Sequence, residues 1–269
     1  MRTICFYSDY GYQDDFAGTC RAVIKRLAPA VEVIDVTHGI APQNVLGGAF
    51  VLRNTMHYMP DGAVHLAVVD PGVGGSRRAV ALRSAGDRLF VGPDNGLLVP
   101  AAEADGGITE GRELTAQELW LAPTSATFPG RDIFAAVAAR LAVGLPLERT
   151  GVEIDVGTLT HVGVPEPVVV RGSLRAAAVL VDQFGNVALN LDGRQLAQAE
   201  LGEQIEVVCG GEGFLATVAI SFQAVRSSDI VVLVDSYDQV AVCVNKGSAV
   251  EVLTLKVGDM VTLRRRPPS

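Results

Sequence analysis

Residues 63–78 read AVHLAVVDPGVGGSRR. An apolar run, interrupted only by His65, ends at the acid Asp70, and a glycine-rich turn then leads to two arginines. Apolar runs of this length are typical of buried strands in a parallel sheet, and ligands bind where such strands end. We therefore expect Asp70 at the carboxyl end of a strand, with Arg77 folded back towards it. A carboxylate beside a guanidinium can orient a small polar molecule such as water, although a salt-bridged turn is the default interpretation of one such motif.

The residues before and after this stretch alternate between strand-like and helix-like patterns. The predicted strands are residues 3–8, 31–36, 63–69, 79–83 and 88–91, and the predicted helices are residues 15–27, 45–58 and 132–141. Strand–helix alternation of this kind is typical of an α/β layer structure. We therefore expect a central, mostly parallel sheet covered by helices in this part of the chain.

Beyond residue 145 the pattern changes to short apolar segments separated by Gly, Asn, Asp and Ser. These segments are residues 168–170, 175–181, 186–191, 204–208, 214–220, 230–234, 240–244 and 260–264. Their length and spacing are typical of an all-β sandwich or a small barrel. Gly163, Pro165 and Pro167 interrupt any regular element between the two halves. The sequence therefore predicts an α/β domain at 1–162 and a β-barrel-like domain at 163–269.

The composition limits the partners and the compartment. The chain has 269 residues, of which 49% are hydrophobic, and a net charge of −8. This charge argues against nucleic acid or an anionic membrane as a partner. No apolar run is long enough for a membrane span and no signal-peptide pattern is present, so a cytoplasmic location is expected. The four cysteines lack CxxC spacing, which favours free thiols over a metal site.

Carboxylates crowd the connection after the first predicted strand. Asp9, Asp14 and Asp15 fall within seven residues there, which is more than the single cap that the following helix needs. Carboxylates suit a ribose diol, an ammonium group or a hard metal cation. The residues alone leave these three ligands open.

Four further clusters combine polar side chains with glycine at predicted turns. They are residues 35–43 with His38, 92–97 with Asp94, 127–132 with Phe128, and 182–186 with Asn186. Taken singly, His38 is explained as a satisfied structural histidine, and the other three clusters are explained by a helix cap or a tight turn. The first strand is not followed by GxGxxG, and the sequence has no GxxxxGK[ST], HExxH or GxSxG motif. These motifs accompany nicotinamide, P-loop, zincin and serine-hydrolase chemistry, which are therefore disfavoured.

Taken together and in order, these clusters resemble the S-adenosyl-L-methionine hydroxide adenosyltransferases, a family related to the fluorinase and chlorinase enzymes. The matching segments are Ser8-Asp9-Tyr10-Gly11 with Asp14-Asp15, Asp35-Val36-Thr37-His38, Val69-Asp70-Pro71-Gly72-Val73-Gly74, Gly92-Pro93-Asp94-Asn95-Gly96, Thr127-Phe128-Pro129-Gly130-Arg131-Asp132 and Asp182-Gln183-Phe184-Gly185-Asn186. They span nearly the whole chain, so the resemblance is specific although each motif alone is weak. It implies an α/β domain, a β-barrel-like domain, and a homotrimer whose sites lie between neighbouring subunits.

The resemblance also implies a reaction, the hydrolysis of S-adenosyl-L-methionine to adenosine and L-methionine, with no cofactor and no metal. The domain at 1–162 would then bind the nucleoside and carry out catalysis, and the domain at 163–269 would complete the site. The implied substrate-binding positions are Asp9 for the ribose hydroxyls, Asp14 for the methionine ammonium, Phe128 as a wall of the pocket, Asn186 for adenine with Asp182 and Phe184 beside it, and Ser236 for the methionine carboxylate.

The implied catalytic set lacks one member. Asp70 and Arg77 match two positions of the family's Asp/Arg/His set that handles the attacking water, whereas Pro129 stands where the hydrolases carry the histidine. Proline can neither donate a side-chain hydrogen bond nor shuttle a proton. A protein that binds S-adenosylmethionine or adenosine with little turnover is therefore the second hypothesis. The third is a metal-dependent phosphohydrolase built on Asp9, Asp14, Asp15 and Asp94.

Overall fold

A computed structural model of the protein describes residues 1–266, and the chain divides into two compact units. The first unit is Met1–Val162 and the second begins at Gly163. Each unit encloses a hydrophobic core of its own. Within the described residues, no helix is long and apolar enough to cross a membrane.

The first unit is built on a seven-stranded mixed sheet. Its strands are β1 (Ile4–Ser8), β2 (Val33–Thr37), β3 (Val64–Val68), β4 (Ala79–Ser84), β5 (Leu89–Pro93), β6 (Ile108–Glu113) and β7 (Val152–Glu153). Strands lie in the order β2-β1-β3-β5-β4-β6-β7. The first four in that order are parallel, and β4, β6 and β7 extend the sheet antiparallel. The predicted α/β class is confirmed, and the sheet is mixed because the tight turn around Gly86 joins β4 to β5 as an antiparallel hairpin.

Helices cover both faces of this sheet. They are α1 (Phe16–Leu27), α2 (Val45–Thr55), α3 (Val99–Ala104) and α4 (Ala136–Ala142), and a π-helical turn, Gly130–Ala135, leads into α4. Successive residues of β1 point to opposite faces, so Phe6 enters the core under α1 and α4 while Tyr7 enters the core under α2 and α3. Burial on both faces explains why the parallel strands have nearly continuous apolar sequences.

The second unit is a closed barrel. Its strands are β8 (Val168–Val170), β9 (Ser173–Val181), β10 (Val187–Asp192), β11 (Gln204–Cys209), β12 (Glu212–Val218), β13 (Ile230–Val234), β14 (Gln239–Val244) and β15 (Met260–Arg265). Strands β9 to β15 form a ring in the order β10-β14-β13-β12-β11-β15-β9, which β9 closes by pairing with β10. Strand β8 adds to the outside of β9. The predicted barrel-like domain is confirmed.

Two short helices connect barrel strands. Helix α5 (Gly193–Gln198) begins at a capping box, in which Asp192 accepts from the Gln195 backbone and the Gln195 side chain accepts from the Asp192 backbone. Helix α6 (Ala249–Leu253) is capped by Ser248. Short 3₁₀ turns occur at Met56–Tyr58, Gln117–Leu119, Leu147–Thr150, Val156–Thr158 and Phe222–Ala224.

Candidate active site

The parallel strands bring two carboxylates to one edge of the first unit's sheet. Strands β1 and β3 are neighbours, and Ser8 at the end of β1 lies opposite Val68 at the end of β3. Asp9 follows Ser8 directly and Asp70 lies two residues after Val68, and both aspartates line one cleft. The position of Asp70 after a buried strand is therefore the one expected from its sequence.

The glycine-rich turn folds Arg77 onto Asp70. Arg77 Nε lies 3.0 Å from each carboxylate oxygen of Asp70, and Arg77 Nη2 also contacts Oδ2. The Asp70 side chain is 7% exposed and that of Arg77 is 16% exposed, so the pair is largely shielded from water. Gly74 adopts a left-handed φ of +76° within this turn, which side chains other than glycine rarely tolerate. The result is a fixed carboxylate that faces the cleft with a guanidinium behind it.

Asp9 is held by a backbone group of a neighbouring loop. Its Oδ2 accepts a hydrogen bond of 2.8 Å from the Gln43 backbone N–H. Gln43 has a φ of +65°, a left-handed conformation that is uncommon for residues other than glycine. A charge-assisted bond of this kind fixes the direction of the carboxylate.

Three aromatic rings form the apolar wall of the cleft. The centroid of the Phe128 ring lies 5.9 Å from that of Tyr10 and 5.2 Å from that of Phe16, both in edge-to-face geometry. Burial raises the pKa of Tyr10 well above its ordinary value, so its hydroxyl is neutral near pH 7. Gly130 allows this packing, since a Cβ there would overlap the Tyr10 hydroxyl.

Pro129 lies between the cleft and a second cavity. It lines the cleft together with Asp70, and it lines the neighbouring cavity together with Arg77. Its backbone is helical, with φ of −61° and ψ of −26°. Because any residue adopts these angles without strain, a histidine at this position would keep the same chain path.

Three other predicted carboxylates lie in different surroundings. Asp14 is exposed and is outside the described lining of the cleft. Asp15 accepts from the Thr19 hydroxyl at 2.9 Å. Asp94 accepts from Arg78 Nε and from the Thr160 backbone N–H, each at 2.8 Å. In the part of the chain that the structure describes, no group of three or more His, Cys, Asp or Glu side chains is arranged to hold a metal ion.

The predicted positions of the second unit lie in two hairpin turns of the same kind. In the first turn, Asp182 Oδ1 accepts from the backbone N–H groups of Phe184 and Asn186. In the second, Asp235 Oδ1 accepts from the N–H groups two and four residues later. The last loop residue of each turn is left-handed, Gly185 at φ of +79° and Asp238 at +60°. These are three-residue hairpin loops, in which the aspartate side chain accepts hydrogen bonds from backbone N–H groups of the turn.

The side chains around these turns are partly free to bind a ligand. Asn186 Nδ2 donates to Asp182 Oδ2 at 2.8 Å, which leaves Asn186 a second amide hydrogen and its carbonyl oxygen. Phe184 is 67% exposed beside it, and Ser236 is exposed in the second turn. Asp182 therefore shapes the turn, and Asn186, Phe184 and Ser236 present the polar and aromatic groups.

Asn186 and Ser236 lie at opposite ends of one strand pair. Strand β10 is antiparallel to β14, so Val187 pairs with Val242 while Asp192 pairs with Gln239. Asn186 precedes the first residue of β10, and Ser236 lies before the first residue of β14. A six-residue strand is about 20 Å long. A ligand that contacts both residues of one barrel must therefore extend along this strand pair.

Some residues of the cleft were not predicted from the sequence. Tyr10 and Phe16 line it beside Phe128, and their aromatic character next to a strand end was the available signal. The Gln43 backbone N–H gave no signal at all, because its contact with Asp9 joins loops 34 residues apart.

Comparison with known proteins identifies the family. The profile of the SAM hydroxide adenosyltransferase N-terminal domain matches residues 4–151, and that of the C-terminal domain matches residues 176–262. The chain is 46% identical to an (R)-S-adenosyl-L-methionine hydrolase of Salinispora tropica, over 95% of each chain. It is 27% identical to a fluorinase of an Actinoplanes species, over 97% of each chain.

A solved structure agrees with these sequence matches. An uncharacterized conserved protein from Thermotoga maritima is 38% identical and superposes with a TM-score of 0.91, over 98% of this chain and 100% of that one. Both domains, in the same order, are thus shared along nearly the whole length. The chain belongs to the SAM hydroxide adenosyltransferase family.

Proposed function

We propose that this protein hydrolyses S-adenosyl-L-methionine to adenosine and L-methionine by attack of water at ribose C5′. The observation that carries the proposal is the Asp70–Arg77 pair, fixed at the carboxyl end of β3 in the same cleft as Asp9. The similarity to the hydrolase of Salinispora tropica supports the same reaction. It favours turnover over the alternative of a protein that binds the nucleoside without reacting.

The reaction requires little from the protein at the leaving group. Water oxygen forms a bond to C5′, the C5′–sulfur bond breaks with its electron pair going to sulfur, and a neutral thioether departs. The leaving group needs no general acid, so the remaining requirement is an oriented water that loses its proton. Asp70 orients that water and accepts the proton, and Arg77 holds the Asp70 carboxylate in place. A carboxylate at this position repels an anion, which disfavours halide as the nucleophile.

The cleft residues suit the other parts of the substrate. We assign the ribose hydroxyls to Asp9, whose carboxylate is already directed by Gln43. The aromatic wall of Tyr10, Phe16 and Phe128 suits a sulfonium cation, because aromatic faces attract positive charge. We assign the methionine ammonium to Asp14, an exposed carboxylate two residues before the first residue of α1.

The second unit supplies groups for the two ends of the substrate. We assign adenine to Asn186 and the exposed ring of Phe184, with Asp182 bracing the turn. We assign the methionine carboxylate to Ser236. Adenine and the methionine carboxylate are the two extremities of S-adenosylmethionine, which is consistent with the separation of Asn186 and Ser236 along β10 and β14.

We further propose a homotrimer in which one subunit's cleft is completed by the second unit of a neighbour. The cleft of the first unit has a volume of about 170 Å³, whereas sites for small molecules usually have roughly 300–1,000 Å³. Additional walls are therefore needed around a substrate of this size.

The four cysteines are free and buried, which supports a location in the reducing cytoplasm.

The reaction is tested by product analysis. Purified protein incubated with S-adenosylmethionine and EDTA is expected to release adenosine and methionine in equal amounts, at the rate seen without EDTA. Chromatography against standards measures both products. S-adenosylhomocysteine as the product, 5′-chloroadenosine in high chloride, or tight binding without adenosine release would contradict the proposal.

The role of Asp9 is tested by its removal. Asp9→Ala is expected to weaken adenosine binding by about 1.5–3 kcal/mol, or roughly 10- to 150-fold, because a buried diol loses a charged hydrogen-bond partner. Calorimetric titration measures the dissociation constant. Asp15→Ala is the matched control, since Asp15 lies in the same connection and contacts Thr19 instead. Equal losses in the two variants would contradict the assignment.

Sharing of the site between subunits is tested by complementation. Asp9→Ala and Asn186→Ala chains are each expected to have little activity at a substrate concentration far below their raised KM. After subunit exchange at equal amounts, about one quarter of the sites combine an intact Asp9 with an intact Asn186 from a neighbour. The mixture should therefore recover about a quarter of the native activity. No recovery after exchange has been verified by mass spectrometry would place both residues of each site in one chain.

A further inference from the structure

His38 lies at the centre of a contact between two loops at the carboxyl edge of the first unit's sheet. One loop follows β1 and carries Asp9, and the other follows β2 and carries Gln43. The Gly11 backbone N–H donates to the His38 carbonyl oxygen at 2.7 Å, next to the Gln43–Asp9 bond. The His38 ring is 4.5 Å from the Phe6 ring and 5.2 Å from the Tyr12 ring, in edge-to-face contact with both. His38 itself is 1% exposed.

The His38 imidazole connects this loop contact to Ser8, the residue before Asp9. Its Nδ1 lies 2.7 Å from the hydroxyl oxygen of Ser8, which is fully buried. The same Ser8 oxygen accepts a 3.3 Å hydrogen bond from the Tyr10 backbone N–H. The Ser8 hydroxyl thus links His38 to Tyr10, the residue after Asp9. The direction of the backbone at Asp9 therefore depends on where His38 holds the Ser8 hydroxyl.

The charges around His38 define which nitrogen carries the proton. Nε2 lies 3.3 Å from Asp35 Oδ1, close enough for electrostatic attraction though not aligned as a hydrogen bond. Asp35 Oδ2 accepts from Arg21 of α1 at 2.6 Å. Burial lowers the pKa of His38 in spite of Asp35, so the ring is neutral near pH 7. A carboxylate beside Nε2 favours the proton there, which leaves Nδ1 to accept from the Ser8 hydroxyl.

We propose that His38 is a positioning residue which, through Ser8, fixes the loop that presents Asp9 to the ribose of the substrate. The inference rests on the proposed function, because it assigns Asp9 to the ribose. His38 and Ser8 are outside the described lining of the cleft, so they act through Asp9 and not on the reacting atoms. This gives a specific role to the His38 motif, for which the sequence alone favours a satisfied structural histidine.

The test uses a buried serine with comparable contacts as control. Ser8→Ala removes one oxygen atom and little volume. His38→Gln is a second variant, which keeps a polar group at the contact between the two loops. Ser84→Ala is the control, because Ser84 is 1% exposed and bonds to Arg88 and Asp105 at the opposite edge of the same sheet. Adenosine affinity is measured by calorimetry, and kcat and KM are measured with S-adenosylmethionine.

Ser8→Ala and His38→Gln are each expected to raise the adenosine dissociation constant and KM about tenfold, with kcat changed less than about threefold. Ser84→Ala should change affinity less than about twofold. In the Asp9→Ala background, Ser8→Ala should add less than about twofold, since the residue through which it acts is gone. An undiminished effect of Ser8→Ala in that background, or unchanged affinity in the single variants, overturns the inference.

These outcomes are separate from failure of the proposed function. If the native protein binds adenosine but releases none from S-adenosylmethionine, hydrolysis is wrong, and the adenosine affinities still decide the role of His38. If the native protein does not bind adenosine, both the proposed function and the inference are overturned.

Discussion

Asp70→Ala is expected to reduce kcat for S-adenosylmethionine by about 10²–10⁴-fold, because the water loses the carboxylate that orients it and accepts its proton. The dissociation constant of the substrate should change less than about threefold, since Asp70 faces the water and not the nucleoside. Single-turnover kinetics measure the rate, and calorimetry measures the affinity. An affinity loss with the rate intact would reverse the assignment.

A second buried ion pair provides the control for Asp70. The Asp94 side chain is 4% exposed and pairs with Arg78, next in sequence to Arg77. Removing one member of a buried pair is destabilising by itself, so both aspartates are changed to asparagine, which keeps their size. Asp70→Asn should lose most of the turnover, whereas Asp94→Asn should keep it within about threefold. Equal losses would mean that the Asp70–Arg77 pair is structural only.

Pro129→His is expected to increase the hydrolysis rate, by about tenfold or more. The backbone at this position is helical and lies beside both Asp70 and Arg77, so an imidazole would face the attacking water. With an ordinary pKa near neutrality it can orient the water or relay its proton. Single-turnover rates of the native protein, Pro129→His and Pro129→Ala measure the effect.

Pro129→Ala separates the imidazole from the loss of the proline ring. A histidine variant that is faster than both other proteins supports the interpretation that the missing histidine limits the rate. A histidine variant no faster than the alanine variant would show that Asp70 and Arg77 suffice. The interpretation that an Asp, an Arg and a His together handle the attacking water would then be wrong.

The parts of the fold that depend on local patterns were predictable. The apolar run before Asp70 predicted a buried strand, and the parallel pairing of β1 with β3 then places Asp9 and Asp70 together. The strands of the barrel were predictable because each hairpin turn has its own chemistry, such as the aspartate and glycine at 182 and 185. In both cases the strands themselves are predictable from patterns that extend over only a few residues.

Strand β6 was missed for a physical reason. Its sequence, ITEGRE, lacks an apolar face. It is stabilised across the sheet by ion pairs, in which Glu110 contacts Arg83 of β4 and Arg112 contacts Glu153 of β7. Such cross-strand pairs stabilise a sheet without any hydrophobic pattern in the sequence. Helix α3, with only six residues, is likewise too short to show a helical period.

The π-helical turn before α4 was predicted as regular helix. There the Asp132 carbonyl accepts from the Leu121 backbone N–H and the Asp132 carboxylate accepts from the Ser125 N–H. These partners come from an earlier loop, so the apolar spacing of residues 132–141 gave no sign of them. The same is true of Gln43 and Asp9, where the site depends on a contact between separate connections.

The most direct measurement of the central claim is the fate of the water oxygen. Hydrolysis of S-adenosylmethionine is carried out in water enriched in oxygen-18, with EDTA present, and both products are analysed by mass spectrometry. Attack at C5′ predicts one heavy oxygen in the 5′-hydroxyl of adenosine and none in methionine. Adenosine without the label, or label in methionine, would contradict attack of water at C5′ and with it the role given to Asp70 and Arg77.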